Sequence, residues 1–141
     1  MLINYSVISL VPCLVRDEHI NVGVVTWAVP PTHTGVERTA SSPVAVRMVN
    51  SLDETVLGSA LPEPMRTNYT RVIGDLKKRL DGKSGDEITI MSTHMNNLLQ
   101  LTPPRRMAST SGDLAAETDE LFDAMVWRVA RHTVVDVNLQ P

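Results

Sequence analysis

The sequence contains few aromatic residues and a single cysteine. Phe, Trp and Tyr together make up 4% of the 141 residues, so the core must be mainly aliphatic. Few rings are available to stack on nucleic-acid bases, which argues against a protein that binds single strands. Because Cys13 is the only cysteine, an internal disulfide and a metal site built on several cysteines are both excluded.

The sequence also lacks an excess of positive charge and a long apolar run. Thirteen Lys and Arg residues against sixteen Asp and Glu residues give a net charge of −3. No overall basic field is therefore expected to attract nucleic acid or an anionic membrane. No apolar run approaches the ~18 residues that a membrane span requires, and the first residues lack a basic region typical of a signal peptide. We predict a cytoplasmic protein that does not contact a membrane, and binding of nucleic acid would require a local basic patch.

Motifs typical of enzymes are missing as well. The sequence contains no G-x-x-x-x-G-K-[ST], G-x-G-x-x-G, G-x-S-x-G or H-E-x-x-H pattern. The four histidines, at 19, 33, 94 and 132, do not have the spacing of metal ligands. We therefore expect neither a metal nor a cofactor, and we favour a non-enzymatic protein over an enzyme.

The first fifty residues have the patterns of β-strands. Alternating apolar residues over 2–11 and the run from His19 to Val29 predict two strands of an antiparallel hairpin. Arg16, Asp17 and Glu18 would occupy the connection, where charged side chains remain in water. A mobile loop is expected over 32–43, because it is rich in turn-forming residues, and a third strand over 44–49.

The rest of the sequence is mainly helical. Apolar residues spaced three and four apart predict a helix over 69–80, with Gly82 as its left-handed stop. Ile88 and Ile90 fit either a short strand or the start of a helix, and residues 95–101 favour a helical turn. Asp113 is the expected N-cap of a helix over 114–129, and the tail at 133–141 is expected to add an edge strand.

These elements predict one α+β domain over residues 1–141. Its antiparallel sheet of three to five strands would be covered on one face by two or three helices. The aliphatic stripes of the helices at 69–80 and 114–129 would pack on that face.

Two segments resemble a known family. The segment YSVISLVPCLVRDEHINVGVV is similar to the opening of the bacterial family of unknown function DUF3037, in which a tyrosine-led strand is followed by proline, arginine, glutamate and an N-x-G-V pattern. The segment LLQLTPPRRMASTSGDLAAETDELFDAM resembles the closing part of that family, where a proline-arginine pair and a short strand lead into a helix. Asp17 departs from the pattern because relatives commonly have glycine there, and residues 107–112 form a shorter stretch than in relatives.

The resemblance gives positions for a site but no chemistry. It places characteristic family residues at the following positions: Arg16, Glu18, Asn21, Gly23, Pro104 and Arg105. The candidate binding residues are Arg16, Glu18, Asn21, Arg105 and Arg106. Several alternatives remain open for these residues.

The first alternatives concern single side chains. Gly23 has a structural role if the backbone bends or another segment approaches closely there. Asn21 bonds either to the backbone of the turn or to a ligand. Glu18 and Arg105 form either an ion pair or part of a catalytic site. Because arginine does not act as a base at neutral pH, such a site suits recognition of carboxylate or phosphate better than proton transfer.

Together these observations predict a small regulatory or adaptor protein that binds another protein. The resemblance implies a partner such as a HipA-like kinase, because genes of the family often lie beside genes for such kinases, and a role related to toxin–antitoxin systems or to phage–host conflict. The alternatives are a nucleic-acid-directed protein, in which Arg105 and Arg106 share a surface with the basic run 77–79, and a nuclease-like enzyme that uses Glu18.

Overall fold

A computed structural model describes residues 2–12, 19–29, 43–95 and 98–129 of the chain. Within these ranges the strands are β1 (Leu2–Leu10), β2 (Ile20–Ala28), β3 (Ala45–Met48), β4 (Leu99–Leu101) and β5 (Arg105–Ala108). The helices are α1 (Val56–Ser59), α2 (Glu63–Leu80), α3 (Gly85–His94) and α4 (Leu114–Met125), and a 3₁₀ turn at Leu52–Glu54 precedes α1. The predicted α+β class is confirmed.

The sheet is antiparallel and has β1 and β2 at its centre. These strands pair from Ile3 opposite Ala28 to Leu10 opposite Ile20, which confirms the predicted hairpin. The register shifts after Ile8, where β2 contains one extra residue. β3 pairs with the other side of β2, while β4 and β5 both pair with the other side of β1. β3 also confirms the strand predicted over 44–49.

Helices cover both faces of the sheet, whereas the sequence predicted a single covered face. The Thr26 hydroxyl bonds to Thr118 of α4, while the next side chain, Trp27, lies against Gly85 of α3. Because successive strand residues point to opposite faces, α4 and α3 lie on opposite sides of β2. The physical reason is that β2 is apolar at both alternations: every residue from Val22 to Trp27 is buried, so each face needs a cover.

Two glycines allow elements to approach closely. A Cβ at Gly23 would lie 2.6 Å from Met48 Cγ and 2.7 Å from the Arg47 carbonyl oxygen, so β2 and β3 could not pack as they do with a larger residue. A Cβ at Gly85 would overlap the Trp27 indole, so α3 could not begin where it does. These contacts support the structural role predicted for Gly23.

The helices differ from prediction mainly at their ends. α2 begins at Glu63, earlier than predicted, and Gly82 after it has the expected positive φ of 79°. Ile88 and Ile90 belong to α3, which begins with a capping box formed by Ser84 and Glu87. In the described residues, no helix combines the length and the apolar character needed to cross a membrane.

α4 begins as predicted, because the Asp113 side chain accepts a hydrogen bond from the Ala115 amide. It ends at Met125 rather than at 129, and the following residues turn back toward the 3₁₀ turn: Val129 donates its amide hydrogen to the Glu54 carbonyl oxygen. The Phe122 ring of α4 is buried between two guanidinium groups, with Arg47 Cζ 4.6 Å and Arg128 Cζ 4.9 Å from its centre.

One predicted element is wrong. Residues 95–101 were expected to form a helical turn, but Leu99–Leu101 forms β4. Leu99 and Leu101 are two residues apart, and both are buried where β4 pairs with the end of β1. In this segment the pairing with β1 outweighs the weak helical spacing. Residues 32–42 of the predicted loop and the tail at 133–141 lie outside the described residues.

Candidate functional site

β4 and β5 form one interrupted strand along the open side of β1. Thr102 is bonded to Val7 in both directions: its amide donates to the Val7 carbonyl oxygen at 3.0 Å, and its hydroxyl accepts from the Val7 amide at 2.8 Å. Tyr5 is the next β1 residue with a partner on this side, and that partner is Arg105. The two residues between Thr102 and Arg105 are prolines that lie opposite one β1 residue. The interruption is therefore a β-bulge at positions that have no amide hydrogen to donate.

The backbone of β5 points alternately toward β1 and away from it. Odd-numbered β1 residues direct their polar backbone groups toward β4 and β5, because Val7 bonds to Thr102 and Val11 donates to the Leu98 carbonyl oxygen. In an antiparallel pair, directly opposed residues on such positions exchange both hydrogen bonds. Their partners in β5 are Arg105, opposite Tyr5, and Met107, opposite Ile3.

Arg106 and Ala108 occupy the alternate positions, so their N–H and C=O groups point away from β1. Within the described ranges, no residue is hydrogen-bonded to these four groups. β5 therefore presents two donors and two acceptors along the edge of the sheet, which we call the β5 edge (residues 105–108).

The two arginines of the β5 edge lie on opposite faces of the sheet. Arg106 donates from Nε to Asn4 Oδ1 at 3.2 Å and lies on the face of its β1 partner Asn4. Arg105 lies on the other face with Tyr5, the face that α4 covers at β2. Both arginines are exposed, and the guanidinium group of Arg105 has neither a hydrogen bond nor an ion pair with any residue in the described part of the chain.

A buried carboxylate holds the loop that follows the β5 edge. Glu117 of α4 is 2% exposed, and its Oε2 accepts hydrogen bonds from the loop residues before the helix. The donors are the hydroxyls of Ser109, at 2.6 Å, and Ser111, at 2.9 Å, and the amides of Thr110, at 3.1 Å, and Ser111, at 3.0 Å. The Ser109 hydroxyl and the other donors lower the pKa of the Glu117 carboxyl from 4.5 to about 2, against the opposing effect of burial.

Glu117 was not among the candidate site residues because the sequence shows it only as an early acidic residue of a helix. The signal that could have identified its role is the Ser-Thr-Ser run at 109–111, which one glycine separates from the helix cap at Asp113. This polar loop needs a partner inside the protein, and a carboxylate one turn into the helix is within reach.

Asn21 uses both ends of its amide inside the protein. Its Oδ1 accepts from the Ser9 hydroxyl at 2.8 Å, and its Nδ2 donates to the Met125 carbonyl oxygen at 2.9 Å, at the end of α4. The hairpin turn at 13–18 lies outside the described residues, so the choice between its backbone and a ligand as a partner of Asn21 stays a prediction. Asn21 lies opposite Ser9 near one end of β1, while Arg105 lies opposite Tyr5, about 13 Å away along the strand.

Arg16 and Glu18 lie outside the described residues, so the ion pair between Glu18 and Arg105 stays a prediction. The basic surface expected from Arg105, Arg106 and the run 77–79 also stays a prediction. In β5 the two arginines alternate between the faces of the sheet.

A shallow cleft of about 500 Å³ lies between α2 and the end of α3. Leu76 and Leu99 form its buried floor, and Asp75, Arg79 and His94 line its exposed rim. His94 Nδ1 lies 2.9 Å from both the Ile90 carbonyl oxygen and the Thr93 hydroxyl. Within the described ranges, no three side chains of the metal-binding types His, Cys, Asp and Glu are grouped to hold a metal ion.

Comparison with known proteins gives a family but no activity. The family model described as "Protein of unknown function (DUF3037)" matches residues 5–126, which include the β5 edge, Asn21 and Glu117. No curated protein and no solved structure matches the chain.

Proposed function

Since the chain belongs to the DUF3037 family, whose description states no function, we propose its role from the site: it is a non-enzymatic adaptor that binds a segment of another protein along the β5 edge. A regulatory role, and a partner such as a HipA-like kinase in a toxin–antitoxin or phage–host setting, are parts of the same proposal that rest on the family resemblance alone.

The observation that carries the proposal is the direction of the β5 backbone. The outward N–H and C=O groups of Arg106 and Ala108 form the pattern that an added strand needs in order to extend an antiparallel sheet. Each main-chain hydrogen bond made this way contributes roughly 0.5–1.5 kcal/mol, so four of them would support a short docked segment.

The surroundings of the edge favour docking without rearrangement. β5 is held on one side by β1 and at its end by the loop bonded to Glu117. A receptor strand that is fixed before binding loses little conformational entropy when the partner arrives. The available edge stops at the other end of β5, at the bulge formed by Pro103 and Pro104, because proline has no amide hydrogen.

The test is site-specific photo-crosslinking in the organism that carries the gene. A photoreactive residue at Ala108, on the edge, should capture one defined protein, whereas the same residue at Ala124, on the exposed surface of α4, should not. Equal capture from both positions, or capture from neither, would contradict docking at the β5 edge.

A pair of proline variants makes the test specific for the backbone. Arg106→Pro removes an outward amide, so the melting temperature should stay close to wild type while capture at Ala108 is lost. Met107→Pro removes an amide that faces β1 and should lower the melting temperature instead. Arg106→Ala controls for loss of the side chain and should retain most of the capture. A folded Arg106→Pro protein that captures its partner as wild type does would rule the proposal out.

A further inference from the structure

The alternation of arginine directions on the β5 edge specifies the chemistry of the segment that docks there. Arg105 and Arg106 are consecutive, exposed and on opposite faces of the sheet. A strand added beside them has its own residues opposite each arginine, and these two residues are also consecutive and on opposite faces. Resting on the proposed function, we infer that the docked segment carries two consecutive acidic residues, one for each arginine.

Charge complementarity supports acidic residues at both positions. The Arg105 guanidinium has no partner among the described residues, and Arg106 uses only Nε, for Asn4, which leaves its other donors available. A guanidinium matches a carboxylate with two parallel hydrogen bonds. Opposite charges directly across two strands stabilise the pairing, whereas like charges destabilise it.

The same charges argue against a second copy of this chain as the occupant. In an antiparallel pairing of two β5 edges, the arginines of one copy would lie close to those of the other. Such a contact brings like charges together, and basic residues on edge strands commonly prevent this kind of self-pairing. The chemistry therefore fits an acidic extended segment of a different protein.

The experiment titrates the full-length ¹⁵N-labelled protein with three synthetic peptides. Acetyl-TVTDEVTV-amide has consecutive acidic residues, acetyl-TVDTEVTV-amide has the same composition with both acidic residues on one face, and acetyl-TVTNQVTV-amide is neutral. The peptide with consecutive acidic residues should bind about threefold more tightly than the same-face peptide, because the same-face peptide loses one cross-strand charge pair. It should bind about tenfold more tightly than the neutral peptide, which loses both charge pairs. Added salt should reduce both differences.

The amide signals identify where the peptide binds. Those of Arg106 and Ala108, which point outward, should shift most, while those of Arg105 and Met107 remain bonded to β1. Equal affinity for the three peptides, or shifts confined to other parts of the protein, would overturn the inference.

Reversing the charges of the two arginines provides a second test. The double variant Arg105→Glu/Arg106→Glu should lose its preference for the acidic peptide and prefer acetyl-TVTKKVTV-amide; an unchanged preference would also overturn the inference. Capture of a partner at Ala108 together with no preference among the peptides would reject the acidic pair and leave the proposed function standing. Failure of both experiments would reject the proposed function itself.

Discussion

Glu117 is a buried acidic residue whose charge is stabilised by hydrogen bonds from the preceding loop. The carboxylate accepts from two hydroxyls and two amides of a single loop, all on Oε2. Hydrogen bonds to the charged form stabilise it, which is why the pKa of this carboxyl falls although burial alone would raise it. Its negative charge therefore contributes to the stability of the loop between β5 and α4.

The lowered pKa of Glu117 predicts how stability depends on pH. A carboxyl whose pKa is lower in the folded state stabilises the fold fully above its unfolded pKa of 4.5, and this contribution is lost as the pH falls toward about 2. Glu117→Gln should lower the melting temperature at neutral pH. The difference in melting temperature between the variant and wild type should narrow as the pH falls through this range. Thermal unfolding followed by circular dichroism across this range checks the prediction.

Glu120→Gln is the matched control, because it removes the same charge from an exposed position of the same helix. Its melting temperature at neutral pH should remain close to that of wild type. A Glu117→Gln protein that is as stable as wild type at neutral pH would show that the loop does not depend on this carboxylate.

At the scale of elements, a buried pair of hydroxyls bonds α4 to the sheet. Thr26 of β2 and Thr118 of α4 lie 2.6 Å apart, oxygen to oxygen, and both are buried. The Thr118 hydroxyl also donates to the Leu114 carbonyl oxygen at 2.6 Å. Since a hydroxyl has one hydrogen, Thr26 must be the donor between the two threonines.

This direction predicts unequal effects of two similar substitutions. Thr118→Val leaves the buried Thr26 hydroxyl without an acceptor and should cost about 1–3 kcal/mol of unfolding free energy. Thr26→Val leaves Thr118 still bonded to Leu114 and should cost less, about 0.5–1.5 kcal/mol. Urea unfolding of both variants and of the double variant gives the comparison, and a larger loss for Thr26→Val would contradict the assigned donor.

The sequence predicted those elements whose signal is local. Alternation along β1 and β2 identified the hairpin, and Asp113 identified the start of α4. β4 was missed because three residues are too few to distinguish the period of a strand from that of a helix. The apolar stripe of each helix does not show which face of the sheet that helix covers. Helices cover both faces because β2 is apolar on both sides.

The candidate site was predictable in part. The family resemblance marked Asn21 and Arg105, but only the register of β5 with β1 gives the directions of Arg105 and Arg106. The Ser-Thr-Ser run indicates a loop that forms hydrogen bonds, but that its acceptor is Glu117 depends on how the loop folds back over the helix. The sequence thus gives the positions of the candidate residues along the chain, whereas the directions and contacts of their side chains are known only from the fold.

For the whole molecule, charge and its placement argue against the nucleic-acid alternative. The net charge is −3, and the two arginines of β5 point to opposite faces. We expect no change in the electrophoretic mobility of labelled single-stranded or double-stranded nucleic acid at micromolar protein and low salt. Retardation that weakens steeply with added salt would instead indicate contacts with phosphates and revive that alternative.

The order of the strands in the sheet has a consequence for the newly made chain. β1 is synthesised first, yet its partners on one side come much later: Val7 and Thr102 are separated by 95 positions. At typical rates of translation, roughly 5–20 s pass between the two. During that interval the nascent chain can form the β1–β2 hairpin. The other side of β1, a strand rich in apolar residues, has no partner until β4 and β5 have been synthesised. Until the last third of the polypeptide has emerged, that side of β1 is an unpaired strand edge, which is the kind of edge that can pair with another chain.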